Sequence, residues 1–178
     1  MGSPSEGIPT LGLVCCAAGG VESIRAELVE PLVGEGWAVG VTATPTAYRW
    51  LTDLGEVEPI EKLTRLALRH QPRLPREPKP HPLPDCYAVV PASANTVAKL
   101  ALGIADNQAL TQLCEGLGGG LPVVICAQVN AAHAGHPAWE GHLATLRRAG
   151  AVVLPGADPL PWESIRSAIR AAVGGRPG

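Results

Sequence analysis

The sequence predicts an α/β fold: a doubly wound, three-layer, Rossmann-like or flavodoxin-like parallel sheet with helices on both faces. Short apolar runs bounded by glycine or proline recur along the chain, as expected for strands buried on both faces. Segments with helical periodicity separate these runs, and parallel strands need such crossovers. With 46% hydrophobic residues, no Phe and one Met, the core must consist of small and branched side chains.

Strand and helix alternate in the first part of the chain. The run "LGLVCCA" (11–17) predicts a strand, and residues 21–36 then show helical spacing until two glycines end it. A second strand is predicted over 37–43. Residues 44–54 follow as a helix with a proline in its first turn, where proline is tolerated. Residues 63–70 fit either a short strand or a helical turn.

The rest of the chain follows the same alternation. Strands are predicted over 86–90, 121–127 and 151–155, and helices over 93–103, 106–117, 136–150 and 161–175. In the helix over 136–150, Trp139, Leu143 and Leu146 share one apolar face. The segment 72–84 carries six prolines, so it must be extended or turning.

Length and composition limit the class of protein. A chain of 178 residues suits one domain, which we expect over residues 11–175 after a flexible N-terminus of residues 1–10. The net charge of −2 and the lack of a basic stripe argue against a nucleic-acid partner. No apolar run reaches the ~20 residues that cross a bilayer. The first ten residues show no secretion signal.

The five cysteines predict a compartment. Their number is odd and their spacing irregular, which argues against a disulfide framework. We therefore expect buried free thiols in a reducing cytoplasm. They are Cys15, Cys16, Cys86, Cys114 and Cys126.

Four predicted strand ends carry small or polar residues. These are residues 17–20, 44–46, 91–96 and 128–130. In an open parallel sheet, ligands bind beyond the carboxyl ends of the strands, and hydroxyls and free N–H groups at helix starts bind anions. Helix capping alone accounts for any one of these loops. Four of them at one edge favour a phosphate-bearing ligand. Glu22, in a first helical turn, is expected to point to solvent.

The stretch "PASANTVAKLALGIADNQAL" (91–110) closely resembles the signature of the homo-oligomeric flavin-containing cysteine decarboxylases. That family includes phosphopantothenoylcysteine decarboxylase and the lantibiotic decarboxylases, and flavin prenyltransferases share the broader fold. The segment 122–156 resembles the family's second motif, in which a proline-x-Met-Asn segment precedes a helix and a strand. The likeness extends over about residues 11–155. The pairing of "PASANT" with "GIADN" is a specific signal.

The resemblance implies that a flavoprotein domain binds FMN here. It matches Gly19, Gly20 and Ser23 to the loop near the phosphate, Thr44 and Thr46 to the second-strand loop, and Pro91, Ser93, Asn95 and Thr96 to the segment along the flavin. Asn130 matches the asparagine that holds the substrate carboxylate. The family's flavin lies between subunits, so the resemblance implies a homo-oligomer, a trimer or an assembly of trimers.

The implied reaction is an oxidative decarboxylation. The flavin takes a hydride from a cysteine-like or peptide C-terminal substrate, carbon dioxide is lost, and the protein moves a proton. A histidine suits that transfer, and His81 is the best match to the family's catalytic histidine, with His70 as the other option. The spacing of His133, His136 and His142 fits no standard zinc pattern, so we expect no metal.

Two alternatives stay open because the chain departs from the family pattern. Val129 stands where the family has Met, and residues 156–165 lack the family's substrate clamp. A changed substrate would give a flavin-dependent oxidoreductase or a flavin prenyltransferase-like enzyme. Loss of the proton-transfer histidine together with the clamp would give a non-catalytic flavin-binding subunit.

Overall fold

The computed structural model describes residues 7–175 and contains one five-stranded, all-parallel sheet. The strands are β1 (Thr10–Cys15), β2 (Ala38–Ala43), β3 (Cys86–Ala92), β4 (Val123–Ala127) and β5 (Val152–Leu154). Their spatial order is β2-β1-β3-β4-β5. This is a doubly wound sheet, so the predicted fold class is confirmed.

Helices cover both faces of the sheet. They are a 3₁₀ turn (Val21–Ser23), a π-helical turn (Arg25–Val29), α1 (Glu30–Gly34), α2 (Pro45–Asp53), α3 (Val57–Thr64), α4 (Ala94–Leu102), α5 (Gln108–Gly118), α6 (Ala131–Ala134), α7 (Trp139–Arg148) and α8 (Trp162–Gly174). One core joins the sheet to α1, α2, α3 and α8, and a second joins it to α4, α5 and α7.

The strands are apolar throughout because both of their faces are covered. Along β1, Leu13 and Cys15 enter the core shared with α8, whereas Val14 and Cys16 enter the core shared with α4. This follows from the alternation of side chains along a strand. The two neighbouring cysteines therefore lie in different layers. Trp139, Leu143 and Leu146 are buried together in the second core, as the helical spacing predicted.

The first crossover is less regular than the helix predicted over 21–36. Pro31 has no N–H to donate to the carbonyl of Glu27, four residues earlier. In its place, the guanidinium Nη1 of Arg166 in α8 donates to that carbonyl. Just before the proline, the N–H of Glu30 bonds to the carbonyl of Arg25, five residues back, which gives the π-helical turn. The bond from Arg166 thus ties the first crossover to the last helix.

The ambiguous segment 63–70 divides between helix and extended chain. After α3 ends at Thr64, the N–H of Arg69 donates to the Val41 carbonyl (2.9 Å), and the N–H of Ala43 donates to the Arg69 carbonyl (2.7 Å). These two bonds add a short parallel edge to β2 and carry His70 to its carboxyl end. The segment 72–84 contains neither helix nor strand, as its prolines predicted.

Three further predictions concern the N-terminus, membrane-spanning helices and the cysteines. Of the N-terminus predicted to be flexible, residues 1–6 lie outside the described residues, while Thr10 already pairs with Ala38. Within residues 7–175, no helix combines the length and apolarity needed to cross a membrane. All five cysteines are free thiols, and all but the half-buried Cys114 are buried.

Candidate functional site

The strand order creates a crevice between β1 and β3. The chain passes from β1 outward to β2 and then returns to β3 on the other side of β1, so the crossovers diverge at this point. Two backbone hydrogen bonds hold the strand ends together: Cys16 N–H donates to the Pro91 carbonyl (3.0 Å), and Gln128 N–H donates to the Ala92 carbonyl (2.9 Å). The loops after β1, β3 and β4 therefore meet at one edge.

These three loops enclose an open cavity of about 450 Å³, a size common for ligand sites. It is lined by Ala17, Ala18, Gly19, Ser93, Ala94, Asn95, Gln128, Val129, Asn130 and His133. Four residues predicted from the sequence are thus brought together here: Gly19, Ser93, Asn95 and Asn130. The lining contains small side chains and neutral amides but no carboxylate, so an anionic group meets no repulsion from it.

The turn after β3 both starts a helix and faces the cavity. Ser93 is the N-cap of α4, and its Oγ accepts the N–H of Thr96 (3.3 Å). Asn95 is exposed in the first turn. Pro91 and Thr96 are buried beneath the turn and do not line the cavity, so any role they have toward a ligand is to shape the Ser93 turn.

The loop after β1 is tightly constrained. Gly20 has φ +95°, and a Cβ there would lie 2.4 Å from the Leu160 side chain, so only glycine fits. Its N–H donates to Oε2 of Glu22 (3.0 Å), and its carbonyl accepts the N–H of Ser23 (3.1 Å). Glu22 is exposed, as expected, but its carboxylate turns back onto the loop. The Glu22 carboxylate thus occupies the Gly20 N–H, and neither Gly20 nor Ser23 lines the cavity of about 450 Å³.

The loop after β2 stands beside the cavity. Thr44 is buried and caps α2, with its Oγ1 accepting the N–H of Ala47 (3.3 Å) and its own N–H bonded to the Cys15 carbonyl. Thr46 is exposed in the first turn of α2. Neither residue lines the cavity of about 450 Å³. A second recess of about 640 Å³ lies between the 3₁₀ turn and α2, and its lining includes Glu22 and Trp50.

Asn130 has its acceptor engaged and its donors available. It caps α6, and its Oδ1 accepts the N–H of His133 (2.9 Å), which turns the amide NH₂ outward. The sequence predicts no role for His133, and Gln128 is predicted only as part of a strand end. The spacing of Asn130 and His133, cap and third residue of a helix, was the available signal for the histidine.

His81, the sequence-based choice for proton transfer, lies away from this cavity. Its Nε2 is 2.7 Å from the Ala67 carbonyl, and a Cβ on Gly40 would lie 2.8 Å from its Nδ1. Gly40 is three residues before the end of β2, about 10 Å from the carboxyl edge. Burial, together with the charge of Arg69, lowers the pKa of His81, against the opposing effect of the Ala67 bond.

His70, the other option, lies at the carboxyl end of β2. Its ring stacks on Tyr48, with centroids 3.5 Å apart and planes at 12°. Within one chain it does not line the cavity either. Among residues 7–175 no three His, Cys, Asp or Glu side chains come close enough together to hold a metal ion.

Known proteins share this fold and sequence pattern. The model of the family described as Flavoprotein matches residues 2–173. The FMN-dependent cysteine decarboxylase SpaF superposes with a TM-score of 0.70 at 21% identity, over 93% of this chain and 97% of that chain. The FMN-dependent cysteine decarboxylase TvaF, from thioviridamide biosynthesis, gives 0.68 at 25% identity, over 94% and 99%.

A curated relative matches part of the sequence. This protein, a cysteine/cysteine sulfinic acid decarboxylase from an unknown prokaryotic organism, is 38% identical over 77 residues, or 43% of this chain. The match covers 21% of the relative, so the chain spans about a fifth of that protein's length.

Proposed function

This chain belongs to the Flavoprotein family, as its signature predicted, and on that premise we propose that it binds FMN and decarboxylates a cysteine-like or peptide C-terminal carboxylate. The relatives SpaF and TvaF are FMN-dependent cysteine decarboxylases. The observation that carries the proposal is that the Gly19 loop and the Ser93 turn line one cavity at the β1/β3 crevice.

The hydrogen-bonding groups that line the cavity suit FMN. Neutral hydroxyl and amide groups surround a floor of alanine and glycine, which lets a flat ring approach the backbone. Gly19, Gly20 and Ser23 would face the phosphate, with Thr44 and Thr46 on the β2 side. Ser93 and Asn95 would contact the flavin directly, while Pro91 and Thr96 hold their turn. Residues 11–175 would act as a single flavoprotein domain.

Asn130 has the chemistry to hold the substrate carboxylate. Its Oδ1 is engaged by His133 N–H, so its NH₂ group is the one available to donate to an anion. The bound flavin would supply the two-electron oxidation that makes loss of carbon dioxide possible. The protein's own part is to orient the carboxylate and to move a proton.

For proton transfer, the geometry supports His70 better than His81. The His81 ring is held by the Ala67 carbonyl and packed on Gly40, whereas His70 stands at the carboxyl edge of β2. Neither histidine lines the cavity of the Gly19 loop and the Ser93 turn in its own chain; His81 lines a separate recess of about 520 Å³ among the prolines of segment 72–84. We therefore propose that either histidine would reach that cavity from a second copy. His133 is the histidine that lines the cavity of its own chain, and it is the third candidate.

We therefore propose a homo-oligomer, a trimer or an assembly of trimers. Large apolar side chains at the surface support this: Trp50 of α2 is 46% exposed, and Leu54, the C-cap of α2, is 50% exposed, and both line the same recess. A cytoplasmic location, with no nucleic-acid or membrane partner, is proposed from the five free thiols and the net charge of −2. Light scattering after size exclusion tests the subunit number.

The decisive experiment identifies the bound cofactor by mass after denaturing the purified protein. We expect FMN, and anaerobic bleaching of its colour on adding a peptide with a C-terminal cysteine, with release of carbon dioxide. Bleaching without carbon dioxide would indicate an oxidoreductase. A yellow protein that no cysteinyl carboxylate bleaches would indicate a non-catalytic flavin-binding subunit. A colourless protein that takes up no FMN would overturn every version.

A further inference from the structure

A chain of three polar side chains leads from the interior to the cavity. Cys16 Sγ lies 3.3 Å from Thr96 Oγ1, and Thr96 Oγ1 lies 3.2 Å from Ser93 Oγ. Cys16 and Thr96 are 1% and 2% exposed, while Ser93 is half-buried and lines the cavity. The last group of the chain is therefore the one that a ligand meets.

The inner end of this chain carries a proton. Burial raises the pKa of Cys16, and the hydrogen bonds from Thr96 and Ser93 oppose this without reversing it. The sulfur is therefore a thiol at neutral pH, with one S–H to donate. The S–H donates to Thr96 Oγ1, so the Thr96 oxygen is supplied with a hydrogen bond from inside the protein. The N–H and hydroxyl of Ser93 also lie within hydrogen-bonding reach of the sulfur.

The hydrogen bond from Cys16 to Thr96 determines where the Ser93 hydroxyl can donate. Ser93 Oγ already accepts the N–H of Thr96, so its single O–H either donates back to Thr96 Oγ1 or turns toward the cavity. When it turns outward, the buried Thr96 oxygen still accepts from Cys16. Without the thiol, that oxygen would be left unsatisfied, which costs free energy.

We infer that Cys16 is a positioning residue: its thiol satisfies Thr96 so that the Ser93 hydroxyl can donate to an acceptor atom of the ligand. The inference rests on the proposed FMN site and assigns the cysteine a role in ligand affinity. In the structure both Cys16 Sγ and Ser93 Oγ donate to Thr96 Oγ1, so the Ser93 hydroxyl can turn to the ligand while the thiol still satisfies Thr96.

The test is a double-mutant cycle read as FMN affinity, by titrating flavin fluorescence. Cys16→Ala should weaken FMN binding roughly threefold to tenfold, the effect of one lost hydrogen bond. In the Ser93→Ala background the same change should have no further effect, because Cys16 acts through Ser93. Cys16→Ser keeps a donor and should bind FMN as the wild type does.

Cys15→Ala is the matched control. Cys15 is equally buried and adjacent in sequence, but its Sγ faces the Thr42 carbonyl in the other layer, so its loss should leave FMN affinity unchanged. Should Cys16→Ala fail to fold, Cys16→Val replaces it in the cycle with the same expectation, because valine also lacks the donor and fills more of the space. Equal losses in both backgrounds, or no loss at all, would overturn the positioning role while FMN binding stands. A wild type that takes up no FMN would overturn both proposals.

Discussion

The imidazole of His70 lies parallel to the phenol ring of Tyr48, with ring centroids 3.5 Å apart. Tyr48 is in α2, and His70 follows the short edge that pairs with β2, so the stack fixes the histidine at the carboxyl side of the sheet. A fixed ring at this edge is what the proposed proton-transfer role of His70 requires.

The first prediction concerns this histidine. His70→Asn should keep its flavin and lose substrate-induced bleaching, because the proton-transfer group is gone while the phosphate loops are intact. His81→Asn, the matched control, should keep both. A His81→Asn protein that binds flavin but is not bleached by substrate would instead assign proton transfer to His81. His133→Asn tests the third candidate in the same assay.

Mixing inactive variants tests whether the site is shared. If His70 of one copy serves the cavity of another, mixed oligomers of His70→Asn and Asn130→Ala should contain some sites with both groups intact. We expect such mixtures, unfolded and refolded together, to recover part of the wild-type bleaching rate. No recovery, in mixtures shown by mass spectrometry to contain both chains, would argue against a shared site.

The second prediction concerns stability and pH. The pKa of His81 is lowered in the folded protein, mainly by burial, so the unfolded chain binds a proton that the folded chain does not. Stability from this source is present above the unfolded pKa, about 6.5, and is lost as pH falls toward the lower folded value. The Tm of the wild type should therefore fall from pH 7.5 to 5.5 more steeply than that of His81→Gln. Parallel curves would contradict this.

The third prediction concerns the Glu22 carboxylate on the loop after β1, which is proposed to face the FMN phosphate. Glu22 occupies the Gly20 N–H, so it should compete with an anion and repel it. Glu22→Gln should tighten FMN binding roughly threefold to tenfold at low salt. Riboflavin, which has no phosphate, should bind both proteins alike. If riboflavin affinity rises by the same factor, Glu22 acts on the loop's shape and not on the phosphate.

The fourth prediction uses two glycines of α5. A Cβ on Gly116 would lie 2.5 Å from the Tyr87 ring, which also leaves no room for a Cβ on Gly12 of the neighbouring strand β1. Gly116→Ala should lower the free energy of unfolding by about 1–3 kcal/mol. Gly118 has nothing within 4 Å of a Cβ, so Gly118→Ala should raise it by about 0.5 kcal/mol. Urea denaturation measures the free energy of unfolding of both variants. Similar changes in the two would show that the Tyr87 ring moves to make room for the new Cβ.

Local signals in the sequence predicted the strands, most of the covering helices and the caps, but not α3 or the short α6. Thr44, Ser93 and Asn130 each cap the helix that follows them, because a cap depends on residues three positions away. The meeting of the Gly19 and Ser93 loops also followed, since carboxyl ends of parallel strands share one edge.

Contacts made by irregular segments could not be predicted in this way. The packing of His81 on Gly40 depends on the path of a proline-rich loop across the sheet, and no periodicity encodes that path. The pairing of Arg69 with β2 has the same origin. Glu22 was expected to face solvent alone, but the positive φ of Gly20 turns the backbone N–H toward it.

The placement of the two adjacent thiols has a practical consequence. Cys15 belongs to one layer and Cys16 to the other, so a maleimide added without denaturant would reach each only when its own side of the sheet opens. Peptide mapping of the tagged cysteines over time would then show which side of the sheet opens first. The half-buried Cys114 should be tagged before either of them. Cys15 and Cys16 thus report local unfolding separately for the two sides of the sheet.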